Sequence, residues 1–590
     1  MRRFLPLLVL AAYPAAAQLY RSGPQVVTFF SQVDDSDQPY GLYLPKNFDP
    51  AKKYPLVISL HGAGSNHRLN LRRVFGQGNR PGESDPEATR YFPQLSDVDF
   101  IVASPLARGT MGYQGIAERD VLDVLADVKK RLPIDEDRVY LTGLSMGGGG
   151  TLWLGLTRPD LWAAIAPVCP APPAEIEDLA PNALNLPVHL FHGDADPAVP
   201  VEVSRRWTTR LKESGVAVEY TEYPGIRHNS WDYAYKDAAI FDWFAKFRRQ
   251  RFPERVRFVA RTYRNAGAYW VRFDGLTPGT PASIDARFTG PNRIEVKTEG
   301  LDGFTLRLGG HPMHSAAKPV AVTVDGTQMK GSAECSFRRV AGAWKPGRFE
   351  PPPGAKRPGA EGPISEAVAS RHIYVYGTEG NPSPEELTRR RNQAAAAADW
   401  SSPRSRLLVS FRVVADKEVR DSDLAGGNLV LFGTMETNLL IRKFAPRLSL
   451  ELNAGAADFG LVFVAAIDGR YVLVNSGLAW WTGAEFAKRP GFRFSSVPFP
   501  VLASLGDYML FKGSLENVVA EGRFDAGWNL PAGEAEKITT TGAVEVKSLG
   551  RTQAKPPAPP LESISWGARW GRHLACPWLS QHVRRHTETQ

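Results

Sequence analysis

The segment that decides the fold reads Arg138-Val-Tyr-Leu-Thr-Gly-Leu-Ser-Met-Gly-Gly-Gly-Gly150. Residues 138–142 have the apolar, β-branched character of a short buried strand, and a helix is predicted to begin near Gly147. Between them, Gly143, Ser145 and Gly147 form the pattern G-x-S-x-G. In a strand–turn–helix context this pattern predicts a tight turn that presents a serine nucleophile, because larger side chains on either side would collide with neighbouring backbone. The helix N-terminus would also favour negative charge developing near the serine.

A serine hydroxyl needs a base to take its proton. Where the nucleophile lies on such a strand–turn–helix turn, the serine comes first in the chain, then the acid and then the histidine, and this order restricts which histidine can be the base. Within residues 18–252, three histidines follow Ser145, namely His189, His192 and His228. His189 lies within a predicted strand and His192 begins the loop after it, whereas His228 lies in a loop after the last strand. His228 is therefore predicted to be the general base, and His61 to be structural.

Two aspartates compete for the acid in His192-Gly-Asp-Ala-Asp196, which follows a predicted strand at residues 186–191. Asp196 is predicted to orient the His228 ring and to stabilise its charged form. Asp194 is the alternative, and turn hydrogen bonds are its expected role.

The oxyanion formed during acyl transfer needs two backbone N–H donors. One is expected from Met146, directly after the nucleophile. The other is expected from the loop His61-Gly-Ala-Gly-Ser65, from Gly62 or Ala63, with Ala63 favoured. The loops at residues 68–90 and 108–114 are predicted to lie over the site and to influence specificity.

Composition shifts predict several segments along the chain. An α/β domain is expected first, followed by a small antiparallel β-rich, sandwich-like domain and a second α/β domain with a doubly wound, Rossmann-like sheet. The predicted boundaries are an export signal at 1–17, the catalytic domain at 18–252, the β-rich domain at 253–345, a Pro/Gly linker at 346–363, the second α/β domain at 364–548 and a disordered tail at 549–590.

The first residues have the basic, apolar and small-residue regions of an export signal, so secretion or periplasmic location is expected. No other apolar run is long enough for a transmembrane helix. Of the formal charge of +9, two charges are leader arginines and four belong to the last forty residues. The remaining +3 is spread over the chain, which does not favour nucleic-acid binding.

Three distant cysteines, Cys169, Cys335 and Cys576, do not predict a disulfide framework or a zinc site. His311 and His314 have a spacing that a metal could use, but they lack an evident third ligand and are expected to be solvated loop residues. No metal and no cofactor is therefore predicted. The loops 377–380 and 433–437 follow strands but lack a nucleotide-binding pattern.

The motifs together resemble a known group. His61-Gly-Ala-Gly, Ile134–Gly149, His192-Gly-Asp-Ala-Asp196 and Gly225-Ile-Arg-His-Asn-Ser-Trp231 are similar to the catalytic domain of prolyl-oligopeptidase-like and polyhydroxybutyrate-depolymerase-like hydrolases, a pattern shared with feruloyl and acetyl-xylan esterases. The resemblance covers about residues 25–250. It implies the α/β-hydrolase fold and a serine–aspartate–histidine site.

Three functions are compared. A secreted serine esterase acting on small-molecule or polymer esters is favoured. A peptidase of the prolyl-oligopeptidase type would use the same three residues, but no repeat of propeller-blade length accompanies them. A surface- or polysaccharide-binding role would use the C-terminal half, for which Trp480 and Trp481 are a candidate exposed pair, the alternative being that both lie in the core.

Overall fold

The computed structural model describes residues 20–174, 176–401, 409–484, 486 and 498–547. The predicted export signal, the predicted tail and Cys576 lie outside these described residues. The strand predicted near 407–413 falls partly outside them as well.

The first sheet contains eight strands. They are β1 (Gly23–Ser31), β2 (Ser36–Leu44), β3 (Tyr54–Leu60), β4 (Ile101–Pro105), β5 (Ile134–Leu144), β6 (Ala164–Val168), β7 (Val188–Gly193) and β8 (Val218–Tyr223). Their order is β1-β2-β4-β3-β5-β6-β7-β8. The β1–β2 and β2–β4 pairs are antiparallel, and the remaining pairs are parallel.

Helices cover both faces of this sheet. They are α1 (His67–Arg73), α2 (Asp85–Ala88), α3 (Ile116–Arg131), α4 (Met146–Thr157), α5 (Glu202–Glu213), α6 (Trp231–Ala234) and α7 (Ala239–Phe244). Burial on both faces explains why β3 reads as a continuous apolar run. Leu56 and Ile58 pack into the core on one face, and Val57 packs into the core on the other.

The β-rich region forms two five-stranded sheets that share one apolar core. Its strands are β9 (Arg255–Ala260), β10 (Gly267–Ala268), β11 (Val271–Leu276), β12 (Ala282–Gly290), β13 (Arg293–Glu299), β14 (Leu301–Arg307), β15 (Val320–Val324), β16 (Thr327–Gly331), β17 (Glu334–Val340) and β18 (Ala343–Pro346). The prediction of an antiparallel region needs one correction, because β13 and β15 pair in parallel. The long crossover between them makes that direction accessible.

The C-terminal region has a seven-stranded sheet and a two-stranded sheet. Its elements are α8 (Ile364–Ala367), β19 (His372–Tyr376), α9 (Pro384–Ala398), β20 (Val413–Ala415), α10 (Asp421–Gly426), β21 (Asn428–Phe432), α11 (Leu439–Phe444), β22 (Leu450–Leu452), β23 (Phe459–Ile467), β24 (Arg470–Gly477), α12 (Pro498–Ala503), β25 (Tyr508–Lys512), β26 (Val518–Gly522), α13 (Ala532–Thr540) and β27 (Val544–Val546). The larger sheet has the order β20-β19-β21-β24-β23-β25-β26.

This larger sheet is mixed, so the prediction of a doubly wound, Rossmann-like sheet is wrong for half of it. The neighbouring strands β20, β19, β21 and β24 pair in parallel. The pairs β24–β23, β23–β25 and β25–β26 are antiparallel. The reversal comes from the two-residue turn Asp468-Gly469, where both residues have positive φ and join β23 directly to β24. Asp-Gly is a strong hairpin signal, and it was available in the sequence.

The predicted Pro/Gly linker is anchored in the structure and does not act as a flexible spacer. Lys356 lies in the interior and donates to Asp507 at 2.5 Å. The buried Glu361 carboxylate accepts from the backbone N–H groups of Tyr263 and Arg264 at 2.6 and 3.0 Å. These contacts tie the segment to both the β-rich region and the C-terminal region.

Short 3₁₀ helices connect several elements, at Pro159–Leu161, Glu177–Asn185, Lys236–Ala238, Tyr263–Asn265, Asp416–Glu418 and Ala445–Arg447. Within the part of the chain that the structure describes, no helix has both the length and the apolar character needed to cross a bilayer.

Candidate active site

The nucleophile turn lies between β5 and α4, as its sequence pattern predicts. Ser145 has φ 57° and ψ −117°, a conformation that is strained for a residue with a side chain. A Cβ atom on Gly143 would overlap the backbone of Gly147, and one on Gly147 would overlap the carbonyl of Leu60. The two glycines therefore let β5, α4 and the end of β3 approach closely enough to hold the turn.

The structure brings together the three side chains that the sequence selected. His228 Nε2 lies 3.0 Å from Ser145 Oγ, and His228 Nδ1 lies 2.7 Å from Asp196 Oδ2. Ser145 follows β5, Asp196 follows β7 and His228 follows β8, so each comes from the carboxyl end of a parallel strand. The ring edge of Trp231 packs against His228, with centroids 5.4 Å apart. Ser145 is 5% exposed, so the nucleophile is recessed below the surface.

Asp196 is held as a carboxylate that points at the histidine. Its Oδ1 accepts from the backbone N–H groups of Ala198 and Val199 at 2.8 and 3.0 Å. Burial disfavours the charge, but hydrogen bonds from His192 and His228 outweigh burial and hold the pKa of Asp196 well below its ordinary value. The exposed Asp194 accepts instead from the backbone N–H of Gly225 at 2.6 Å, in the loop after β8, and not from its own turn.

Two residues beside the site were not assigned a role from the sequence. His192 is fully buried, with Nε2 3.3 Å from Asp196 Oδ2 and Nδ1 2.7 Å from Ser204 Oγ. Cys169 is also buried, and its thiol lies 3.5 Å from the carbonyl of His228. The buried Cys169 has a pKa raised to about 12 by desolvation and by the nearby Asp196 charge, so it stays a neutral thiol. The sequence signal for a contact between His192 and the acid was its position four residues before Asp196.

A metal site at these positions is not favoured. Ligand atoms of Cys169, Asp196 and His228 lie within 4.8 Å of one another, a grouping that could in principle hold a metal. However, His228 and Asp196 already bond to each other, and the raised pKa of Cys169 opposes the thiolate that metal binding needs.

The loop at residues 61–65, called here the oxyanion loop, passes directly behind the nucleophile. A Cβ atom on Gly62 would lie 3.5 Å from Ser145 Cβ. The N–H groups of Gly64 and Ser65 are used within the fold, by Thr110 Oγ1 at 2.8 Å and by the carbonyl of Gly62 at 3.2 Å. This leaves Gly62 and Ala63, the two residues that the sequence offered, as the loop's candidates for an oxyanion donor. Met146, the other predicted donor, is the first residue of α4, where N–H groups lack helical partners.

Two other histidines of this domain, His61 and His189, have structural contacts. The ring of the fully buried His61 lies 2.7 Å from the carbonyl of Gly62 and 2.8 Å from that of Leu106, and burial lowers its pKa. His189 contacts Thr221 Oγ1 at 2.9 Å and stacks on Phe191, and burial lowers its pKa to about 4. Both rings are therefore neutral side chains away from the nucleophile.

Three sequence hypotheses outside this domain are answered by burial. Trp480 is fully buried and Trp481 packs against the same core, so the hypothesis of an exposed tryptophan pair is wrong. His311 is also buried, between Trp270 and Phe288, and not solvated as predicted. His314 is partly buried.

The two glycine-containing loops of the C-terminal sheet, residues 377–380 and 433–437, pack against each other. A Cβ atom on Gly377 would overlap the carbonyl of Thr437. The buried Asp416 carboxylate accepts from Thr378 and from the backbone N–H of Leu439, which ties both loops together.

Comparison with known proteins identifies this part of the chain. Residues 118–241 match the phospholipase/carboxylesterase family model, a range that contains Ser145, Asp196 and His228. An acyl-protein thioesterase 1 of Mycosarcoma maydis is 34% identical over 115 residues, which are 18% of this chain and 48% of that protein. A putative esterase of Nocardia uniformis is 38% identical over 167 residues, 25% of this chain and 42% of that protein. The chain thus spans less than half the length of these relatives.

A feruloyl esterase D of Neurospora crassa is 25% identical over 216 residues, which are 35% of this chain and 72% of that protein. Among solved structures, a thermostable esterase is 28% identical, with 38% of this chain and 63% of that chain covered and a TM-score of 0.31. The family match and the sequence relatives confirm the resemblance to esterases seen in the motifs. The N-terminal part of the chain has the α/β-hydrolase fold, and its residues 118–241 are similar to the phospholipase/carboxylesterase family.

Proposed function

We propose that this protein is a serine esterase that cleaves carboxylic esters through an acyl-enzyme on Ser145. The observation that carries the proposal is the unbroken hydrogen-bond relay from Ser145 through His228 to Asp196. The family match and the esterase relatives support the same reaction class.

In the first half of the reaction, neutral His228 accepts the Ser145 proton at Nε2 while Oγ attacks the ester carbonyl carbon. Asp196 keeps the other ring proton on Nδ1 and stabilises the charged ring that forms. The tetrahedral intermediate collapses as His228 returns the proton to the departing alcohol oxygen. This leaves an ester between Ser145 and the acyl group.

In the second half, His228 takes a proton from water as the water oxygen attacks the acyl carbon. Collapse of the second intermediate returns that proton to Ser145 Oγ and releases the carboxylic acid. Both intermediates carry an oxyanion, for which the N–H of Met146 and that of Ala63 or Gly62 are the proposed donors.

The proposed substrates are small-molecule or polymer esters with a compact acyl group. Relatives named as feruloyl esterase and cutinase support tests with aromatic and short alkyl acids. An aromatic ring also lies close to the base, since Trp231 contacts His228 with ring centroids 5.4 Å apart.

We also propose that the protein acts outside the cytoplasm, on the basis of its leader sequence. The leader's basic and apolar regions support this proposal. Fusing residues 1–25 to a reporter that is active only after export would test it, and reporter activity equal to that of a leaderless fusion would contradict it.

The test of the activity is hydrolysis of p-nitrophenyl acetate, p-nitrophenyl butyrate, methyl ferulate and a proline-peptide anilide. Ser145→Ala is compared with wild type and with the control Ser332→Ala, an exposed serine of the β-rich region. Ester turnover that is lost only in Ser145→Ala, with little anilide cleavage, is the expected result. Rapid anilide cleavage with weak ester turnover would assign a peptidase. Turnover that survives in Ser145→Ala would contradict the assignment of the nucleophile.

A further inference from the structure

The C-terminal domain contacts the hydrolase domain at the β1–β2 turn, where Arg371 pairs with Asp35, and at residues 106–115, called here the strut loop. It runs from the end of β4 to the start of α3. Five of its residues have positive φ, and two of these, Ala107 and Arg108, are not glycine. A backbone in this conformation persists only where its surroundings hold it in place.

One side of the strut loop supports the oxyanion loop through three hydrogen-bond contacts. Gly64 donates its N–H to Thr110 Oγ1 at 2.8 Å, and Tyr113 donates its hydroxyl to the carbonyl of His61 at 3.0 Å. The His61 ring in turn lies 2.8 Å from the carbonyl of Leu106. The backbone on both sides of Gly62 and Ala63 is thus fixed by the strut loop.

The other side of the strut loop is packed by the C-terminal domain. Met111 contacts the apolar core of the hydrolase domain and that of the C-terminal domain, and Ile116, directly after the loop, belongs to the C-terminal core. A Cβ atom on Gly115 would lie 3.8 Å from the Cβ of Ala369. The side of the strut loop that faces away from the oxyanion loop is therefore packed against apolar groups of the C-terminal domain.

One arginine connects all three regions at this point. Arg264, from the β-rich region, donates to the carbonyl of Gly115 at 3.3 Å and to Glu366 of α8 at 2.9 Å. The same guanidinium lies 3.5 Å from Glu118 of α3. These groups are mostly buried, so their contacts are less screened than those of surface ion pairs.

We propose that the C-terminal domain positions the oxyanion hole through the strut loop, with Thr110 as the positioning residue that joins the two. The inference rests on the proposed esterase function and deepens it. The C-terminal domain is then a structural part of the catalytic unit. Thr110 acts through Gly64 and the neighbouring N–H of Ala63 or Gly62, which stabilise the oxyanion only if they are placed before reaction.

The first experiment compares Thr110→Val with Thr110→Ser. Valine has nearly the same shape but no acceptor for Gly64, so kcat on p-nitrophenyl butyrate is expected to fall about 10- to 100-fold with KM nearly unchanged. Serine keeps the hydroxyl and is expected to remain within about threefold of wild type in kcat, since the hydrogen bond is retained. A role in stability alone would lower the melting temperature without changing kcat of the folded protein.

The second experiment perturbs the far side of the strut loop. Ala369→Trp would push against Gly115 without touching the hydrolase core, and kcat is expected to fall about tenfold because small displacements of an active-site loop are costly. Val464→Ala, in the centre of the C-terminal sheet, is the control for destabilisation of that domain elsewhere and should leave kcat unchanged.

The outcomes separate the two proposals. If wild type hydrolyses the ester and Ser145→Ala does not, the esterase function stands. In that case, wild-type kcat in Thr110→Val, or an equal loss in Thr110→Ser, would overturn the positioning role of Thr110. Equal kcat in Ala369→Trp and Val464→Ala would overturn the role of the C-terminal domain. Persistent activity in Ser145→Ala would instead refute the proposed function itself.

Discussion

Asp196→Asn tests the relay most directly, because the structure predicts which way the new amide would face. In the wild-type site, Oδ1 accepts two backbone N–H groups, from Ala198 and Val199, and Oδ2 accepts the ring N–H of His228. His192 Nε2 also lies 3.3 Å from Oδ2, but it is closer to the carbonyl of Val199, at 3.0 Å, which can accept its proton in the variant. Asparagine has one oxygen and one NH₂ group. Its oxygen can serve the two backbone donors or the one ring donor, but not both.

The backbone donors should win this competition. Turning the amide oxygen towards His228 would place NH₂ against two N–H groups and lose two hydrogen bonds, a cost of roughly 2–4 kcal/mol. With the oxygen on the backbone, NH₂ faces Nδ1 and drives the ring proton to Nε2. His228 then donates towards Ser145 and cannot accept its proton.

The productive arrangement is therefore populated only about once in 30 to 900 molecules, since each 1.36 kcal/mol corresponds to a factor of ten. Loss of the carboxylate charge beside the charged ring adds to this, so kcat is expected to fall about 10³- to 10⁴-fold, with the fold intact. The assay is p-nitrophenyl butyrate hydrolysis at neutral pH, with a melting curve for each variant.

Asp194→Asn is the matched control, in the same loop and with the same chemical change. Asparagine there can still accept from Gly225, so kcat should stay within about twofold of wild type. A tenfold loss or less in Asp196→Asn would refute the reasoning. Equal losses in the two variants would leave the choice between the two aspartates unsupported.

Two further predictions concern the anchored segment before α8. Lys356→Met should lower the free energy of unfolding by about 3–5 kcal/mol, because it leaves Asp507 charged and buried without its partner. The control Lys512→Met breaks the exposed pair with Asp458 and should lower the free energy of unfolding by less than about 1 kcal/mol. Chemical denaturation measures both, and similar losses would contradict the difference in burial. Burial raises the pKa of Glu361 to about 7, so the folded protein holds the proton more tightly than the unfolded chain and stability should fall as pH rises from about 4.5 to about 7, then level off. Glu361→Gln should flatten this part of the melting-temperature profile, and an unchanged slope would refute the assignment to Glu361.

Local sequence pattern was enough to place the three side chains of the relay. The G-x-S-x-G turn needs its glycines because two backbones meet there, and the strand before it and the helix after it are set by neighbouring residues. The order of Ser145, Asp196 and His228 then follows from parallel strands whose carboxyl ends share one edge of the sheet. Gly62 follows β3 and Asp196 follows β7, so both lie at this edge of the sheet.

Other features depend on contacts between residues far apart in the chain, which spacing does not encode. His192 reads as a loop residue until the fold places it behind Asp196, and Thr110 has no motif that links it to Gly64. The mixed C-terminal sheet could have been suspected from Asp468-Gly469, but β23 is buried on both faces and shows no alternation that would mark its direction.

The sequence by itself therefore determined the hydrolase fold, the nucleophile turn and the candidate base, because each depends on local backbone geometry and strand order. Only the tertiary structure decided which donors of the oxyanion loop are left for a substrate, how the predicted linker is anchored, and that the C-terminal domain rests on the strut loop. The physical reason is that burial and hydrogen-bond satisfaction are properties of the packed chain, and a polar group's partner can lie hundreds of residues away.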